Sequence, residues 1–166
     1  MVKIQLKQRH TLRRSKQLKL WTGLKNEIGD ESDLFTSPDV EMVETTGDIT
    51  LYLLDKKPLI FEKRDGWVFP TLKGALERPF TSRRITVDSG AVPHMANGAN
   101  VMRPGVVGIT DDVKAGRPVI IAEERYNKPL AIGIALYDAE EMRETESGKV
   151  AKNIHAVGDE IWNLEI

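Results

Sequence analysis

Cysteine is absent from this 166-residue sequence, which excludes a disulfide framework and any thiolate metal site and is compatible with a reducing compartment. Long apolar runs are absent as well. Met1 opens onto Lys3, Lys7, Arg9, Arg13 and Arg14 with no hydrophobic stretch behind them, so neither a signal peptide nor a membrane-spanning helix is expected. The expectation is a soluble, cytoplasmic protein with no membrane contact. His10, His94 and His155 lie far apart and lack the spacing of metal ligands. There is no phosphate loop and no dinucleotide fingerprint, since Gly105-Val-Val-Gly108 is too short and sits in a strand pattern. No metal, no cofactor and no catalytic residue is therefore expected.

Acidic residues are missing from the first 26 positions, which carry Lys3, Lys7, Arg9, Arg13, Arg14, Lys16, Lys19 and Lys25 before Glu27. The net charge of −1 hides this polarity, because the other 16 basic residues face all 25 acidic ones. Arg13, Arg14 and Lys16 crowd the start of an expected helix, where the macrodipole disfavours cations by a few tenths of a kcal/mol, roughly. Local stability would not choose them there. A polyanion partner or a solvated face are the two readings of this basic end, with Arg9, Arg13, Arg14 and Lys16 as its candidate contacts.

Pattern and punctuation give an α+β plan. Val2 to Leu6 alternates as a strand, and a helix from about Thr11 or Ser15 to Ile28 should bury Leu20, Trp21, Leu24 and Ile28, with Gly29 as its stop. Strands follow at Val40–Glu44, Ile49–Leu54, Pro58–Phe61 and Trp67–Phe69, the last after an Arg64-Asp65-Gly66 turn. Thr71 can cap a short helix that ends near Pro79. Glu77 to Arg83 is the candidate boundary, and no Gly/Ser-rich linker or internal repeat occurs. Beyond it, short strands at Arg84–Val87, Val101–Val107, Arg117–Ala122, Pro129–Tyr137, Val150–His155 and Glu160–Leu164 suggest a compact barrel. Asp138-Ala-Glu-Glu141 has the form of a capping box.

The stretch from Val87 to Val106 carries the most chemistry. Gly90, Gly98 and Gly105 each permit positive φ or close backbone approach, and Pro104-Gly105 is a turn signal. Ala91 to Asn97 can make a short helix with Pro93 near its start and Asn97-Gly98 as its stop. The loop beyond can offer backbone N–H groups and the Arg103 guanidinium to a phosphate, or be a plain structural corner. Val87-Asp88-Ser-Gly-Ala91 also has the form of an aspartic protease loop, which in a single copy would require a homodimer using Asp88. The alternative is that Asp88 caps the short helix.

These residues resemble the PUA domain, an RNA-binding module. The resemblance continues through Val113 to Glu123, Pro129 to Ala135, Gly148-Lys149, His155 and Gly158 to Trp162. Upstream, Phe61-Glu-Lys-Arg-Asp-Gly66, Phe69-Pro-Thr-Leu72 and Arg78-Pro-Phe80 resemble the N-terminal domain of the malignant T-cell-amplified sequence family and its archaeal relatives. The resemblance implies an N-terminal α+β pre-PUA domain at residues 1–79 and a PUA β pseudo-barrel at residues 80–166. It implies a non-catalytic RNA-binding protein contacting tRNA or small-subunit rRNA in translation initiation or ribosome recycling. Its partners would be the small ribosomal subunit and a density-regulated-type translation factor. The RNA face it implies comprises His94, Asn97, Gly98, Ala99, Asn100 and Arg103, with Lys149 and Lys152. The family's cysteines are absent here. The alternative left open is a detached RNA-binding subunit of an RNA-modification enzyme.

Overall fold

The computed structural model describes residues 4–166; Val2 and Lys3, the start of the first predicted strand, lie outside the described residues. The chain divides into two compact units, one running to Phe80 and taking in Asn163–Ile166, the other spanning Thr81–Trp162.

The first unit is an antiparallel sheet in simple meander order, β1 (Leu6–Thr11), β2 (Val40–Thr45), β3 (Ile49–Leu54), β4 (Lys57–Lys63) and β5 (Val68–Pro70), with helices α1 (Arg14–Ile28) and α2 (Leu72–Glu77). The first strand starts at Leu6 rather than ending there. Its ladder with β2, from Leu6 opposite Thr45 to Thr11 opposite Glu41, overrides the local alternation that pointed to an earlier segment. Helix α1 ends at Gly29, whose φ of +63° breaks the helix, and it buries Leu20, Leu24 and Ile28. Trp21 is only half-buried. A short 3-10 stretch, Gly29–Phe35, follows it and was not expected. Thr71 caps α2 as expected, its Oγ1 accepting from the Gly74 N–H at 3.0 Å and donating to the Pro58 carbonyl at 2.7 Å. In the core, the Phe80 ring meets Phe35 and Phe69 edge-on, at centroid separations of 5.8 and 5.9 Å.

The second unit is a six-stranded sheet built from β6 (Arg84–Val87), β7 (Val101–Met102), β8 (Val106–Ile109), β9 (Pro118–Glu123), β10 (Pro129–Ala135) and β11 (Lys149–Ala156). Its order is β7-β11-β10-β9-β6-β8, with β6 and β9 parallel and the other pairs antiparallel. The two edge strands, β7 and β8, are separated in sequence by only the 3-10 turn Arg103–Gly105. Three residues reach at most about 11 Å, whereas six flat strands would hold the edges about 24 Å apart. The sheet must therefore curl into a pseudo-barrel. Its interior is filled by Ile85, Val87, Met95, Val101, Val119, Ile121, Met142 and Val150, all buried.

Two predicted strands change form here. Val101–Val107 is broken in two because Pro104 lacks an N–H and fixes φ, letting the chain leave the β11 edge and rejoin at β6. Glu160–Leu164 forms turns, because the Asp159 carboxylate accepts the N–H groups of Ala156 and Trp162, both at 2.9 Å, and rolls the chain over. Helix α4 (Ala139–Glu144) begins at Asp138, but the Asp138 carboxylate accepts from the Ala115 N–H at 2.9 Å instead of closing a capping box.

Candidate functional site

Helix α3 (Val92–Ala96) and the loop after it form the exposed corner that the sequence singled out. Asp88 sits at the head of this segment and its Oδ1 accepts the Ala91 N–H at 3.1 Å, so the carboxylate acts as a cap. That role accounts for the Asp-Ser-Gly-Ala form without a second carboxylate. Met95 is buried and anchors the helix, while His94, Asn97, Gly98 and Ala99 face solvent. Gly98 has φ +82°, and a Cβ there would meet nothing within 4 Å. Glycine is thus demanded by the backbone, and the space above it is open to a ligand. Gly90 and Gly105 do not take positive φ. Gly105 serves through its carbonyl, which accepts from the Asp88 N–H at 2.9 Å.

The loop is held by a residue that sequence reading missed. Asn153 on β11 donates from Nδ2 to the carbonyls of Met95 and Ala99, both at 3.1 Å, and its own N–H reaches Asn100 Oδ1 at 3.1 Å. Asn100 is therefore a partner within the clamp as well as a member of the predicted face. No local pattern marks Asn153, because its partners lie 53 to 58 positions away.

The clamped loop separates two concavities. One, of about 330 Å³, is lined largely by apolar groups, with Val87, Met95, Val101 and Met102 as walls and His94, Ala99 and Asn100 at its margin. The other, of about 320 Å³, is lined by Asn97, Gly98, Asn153, His155, Gly158 and Asp159 among others. His94, Asn97, Gly98, Ala99 and Asn100 are thus brought together. Arg103, Lys149 and Lys152 line neither concavity.

Arg103 is turned into the fold. Its Nε donates to the Met142 carbonyl at 3.0 Å, Nη1 to Val106 at 3.1 Å and Nη2 to Arg143 at 3.5 Å. These bonds tie the turn between β7 and β8 to α4, across the seam that closes the barrel. The guanidinium expected to meet a phosphate is engaged by backbone carbonyls, because closing the sheet brings those acceptors, each with two lone pairs, within its reach. Lys149 and Lys152 are exposed on β11. In the first unit, Arg9 grips Glu41, with Nε at 2.7 Å and Nη2 at 2.5 Å from Oε2. Arg13, Arg14 and Lys16 are exposed at the start of α1, which has no acidic residue in its first turn.

His155 is buried, with 1% of its side chain exposed, and its Nδ1 lies 2.8 Å from an Asp159 carboxylate oxygen. Burial pushes the Asp159 carboxyl up, but the hydrogen bond and charge of His155, with the Trp162 and Ala156 N–H groups, hold it below the usual aspartate range. Asp159 thereby joins the end of β11 to the turn that follows. Among the described residues no group of histidine and carboxylate side chains suits a metal ion, and no helix is long and apolar enough to cross a membrane.

Comparison with known proteins agrees with this architecture. The model of the PUA domain matches residues 83–157 and that of the pre-PUA-like domain matches residues 2–79. An uncharacterized protein of Methanocaldococcus jannaschii is 41% identical over 123 residues, covering 74% of this chain and 75% of that protein. Translation machinery-associated protein 20 of Saccharomyces cerevisiae is 31% identical, covering 76% and 73% respectively. Among solved structures, a hypothetical protein of Pyrococcus horikoshii superposes with a TM-score of 0.85 at 33% identity, covering 93% of this chain and 98% of that one. The chain belongs to the family of pre-PUA and PUA domain proteins that includes translation machinery-associated protein 20 and the malignant T-cell-amplified sequence proteins.

Proposed function

We propose that this protein is a non-catalytic RNA-binding protein of the translation machinery, contacting tRNA or small-subunit rRNA during initiation or ribosome recycling. The observation that carries this reading is the solvent-facing loop at Asn97–Asn100, held rigid by Asn153 between two concavities and open above Gly98. Such a corner lets a nucleic-acid backbone approach closely, while the concavities admit groups splayed out of a single strand. The family's translation-machinery relatives support the setting.

His94, Asn97, Gly98, Ala99 and Asn100 make the direct face, and Lys149 and Lys152 add attraction to phosphates from β11. Arg103 acts as a positioning residue through the barrel seam. Arg9, Arg13, Arg14 and Lys16 contribute diffuse affinity, the first of them weakened by its pairing with Glu41. The partners are the small ribosomal subunit and a density-regulated-type factor, and the setting is the cytoplasm.

The test is crosslinking and sequencing of bound RNA in native cells, with Asn97→Glu alongside. Asn97 is exposed, so the added charge repels phosphate without disturbing the core. Enriched tRNA ends or small-subunit rRNA, lost in the variant, is the expected result. Recovery of a modification enzyme and its substrates instead would favour a detached RNA-binding subunit, and no enriched RNA would overturn the reading.

A further inference from the structure

The hairpin joining β9 to β10 is built with unusual care for a surface loop. Glu123, only 7% exposed, turns its carboxylate under the hairpin and accepts the N–H groups of Arg125 at 2.7 Å, Tyr126 at 2.5 Å and Lys128 at 3.2 Å. From the other side Arg84, 8% exposed, donates through Nη1 to both the carbonyl and the side-chain oxygen of Asn127, at 3.0 and 3.1 Å. Asn127 itself takes the left-handed φ of +57°. Burying a charged group is unfavourable unless hydrogen bonds hold it. Here two such groups fix the backbone of one short loop.

The fixed loop presents a tyrosine to water. Tyr126 is 77% exposed, and the Arg125 guanidinium lies 5.9 Å from its ring centroid, within the range of a cation–π contact. Lys128 is exposed beside them. The first residue after β9, Glu124, accepts from Ser89 Oγ at 3.4 Å. Its N–H donates to the Val87 carbonyl at 3.0 Å, so the hairpin base adjoins the segment that leads into α3. The hairpin is thus continuous with the corner described above, although it lines neither concavity.

We propose that this hairpin is a second RNA contact, in which an unstacked base lies on the Tyr126 ring and the adjoining phosphates meet Arg125 and Lys128. Aromatic stacking with flanking cations suits single-stranded RNA, since every base offers a π face whatever its sequence. A rigid loop loses little conformational freedom on binding, which is what the Glu123 and Arg84 bonds secure. The inference rests on the RNA-binding reading, and it extends the contact beyond the α3 corner.

The test is fluorescence anisotropy with labelled total cellular tRNA, using the whole chain and three variants. Tyr126→Ala should weaken binding by about 5- to 150-fold, the effect of losing one base stack. Tyr126→Phe, which keeps the ring, should bind as the parent does. The double change Arg125→Ala and Lys128→Ala should lower the slope of log affinity against log salt by up to about 1.4, or 0.7 per released single-strand phosphate contact. Tyr126→Ala binding like the parent while Asn97→Glu loses affinity would overturn the hairpin contact and leave the RNA reading standing. Failure of the parent chain to bind either this tRNA or labelled small-subunit rRNA would remove both.

Discussion

The first unit holds every phenylalanine of the chain, Phe35, Phe61, Phe69 and Phe80, each fully buried, whereas the second packs its interior with valine, isoleucine, alanine and methionine. From β2 to β5 the first unit joins neighbouring strands through short connections, and only β1 and β2 are linked through a helix. A closed barrel has a narrower interior that smaller aliphatic groups suit. Its strands also pair out of sequence order, and polar side chains tie down the segments that join them. Arg103 ties the seam, Asn153 the α3 loop, Asp159 the last turn and Glu123 the hairpin. The segments so tied are the exposed ones. In this molecule one unit is packed around buried aromatic rings, and the other combines aliphatic packing with polar clamps on its exposed segments.

The largest effect is expected of Phe69→Ala, which should destabilise the first unit by about 3–5 kcal/mol, the range for emptying a buried aromatic site. Urea denaturation followed by fluorescence measures it, and a loss below about 1 kcal/mol would show that ring burial is not what holds this unit.

Asn153→Ala probes the clamps and should cost about 1–3 kcal/mol, since it leaves the Met95 and Ala99 carbonyls without that donor. Hydrogen exchange should accelerate at Gly98 and Ala99, with weaker RNA binding. Unchanged exchange would mean that the loop is ordered by its own turns.

Asp159→Asn sharpens the contrast through pH. The Asp159 carboxyl is held below the aspartate range by its folded-state partners, so the unfolded chain binds the proton more readily. Its stabilisation is complete above the unfolded-state pKa and is lost as pH falls through the lower folded one. The parent chain should lose stability over that acidic window and the variant should lose less, as read from melting temperature against pH. Parallel curves would exclude Asp159 as the source.

The smallest effect belongs to the exposed pair Arg9 and Glu41. Arg9→Ala should change stability by no more than about 1 kcal/mol, as for other surface ion pairs. Neutralising Arg13, Arg14 and Lys16 should leave stability nearly untouched but flatten the salt dependence of RNA binding. An unchanged slope would make them a solvated face.

Much of the fold was legible because its signals are local. Apolar spacing located α1, Thr71 marked the cap of α2, and Asn97-Gly98 marked the end of α3. Asp88 was readable as a cap for the same reason. The candidate corner from His94 to Asn100 was legible through its glycine, proline and asparagine. The clamps were not, since Arg103 looks the same in sequence whether it faces a phosphate or three carbonyls. The final predicted strand failed for a related cause: the apolar pattern of Glu160–Leu164 suits a strand, but the Asp159 carboxylate holds the segment in turns.

The α+β character, the caps and the turns follow from residues near one another in the chain, and the family from the order of motifs along it. Tertiary structure alone decided that β7 and β8 become opposite edges of a curled sheet, that Arg103 fastens their seam, and that Asn153 meets a loop as many as 58 positions away. A polar side chain bonds whatever donor or acceptor the strand order brings within about 3 Å, and strand order is a property of the whole sheet.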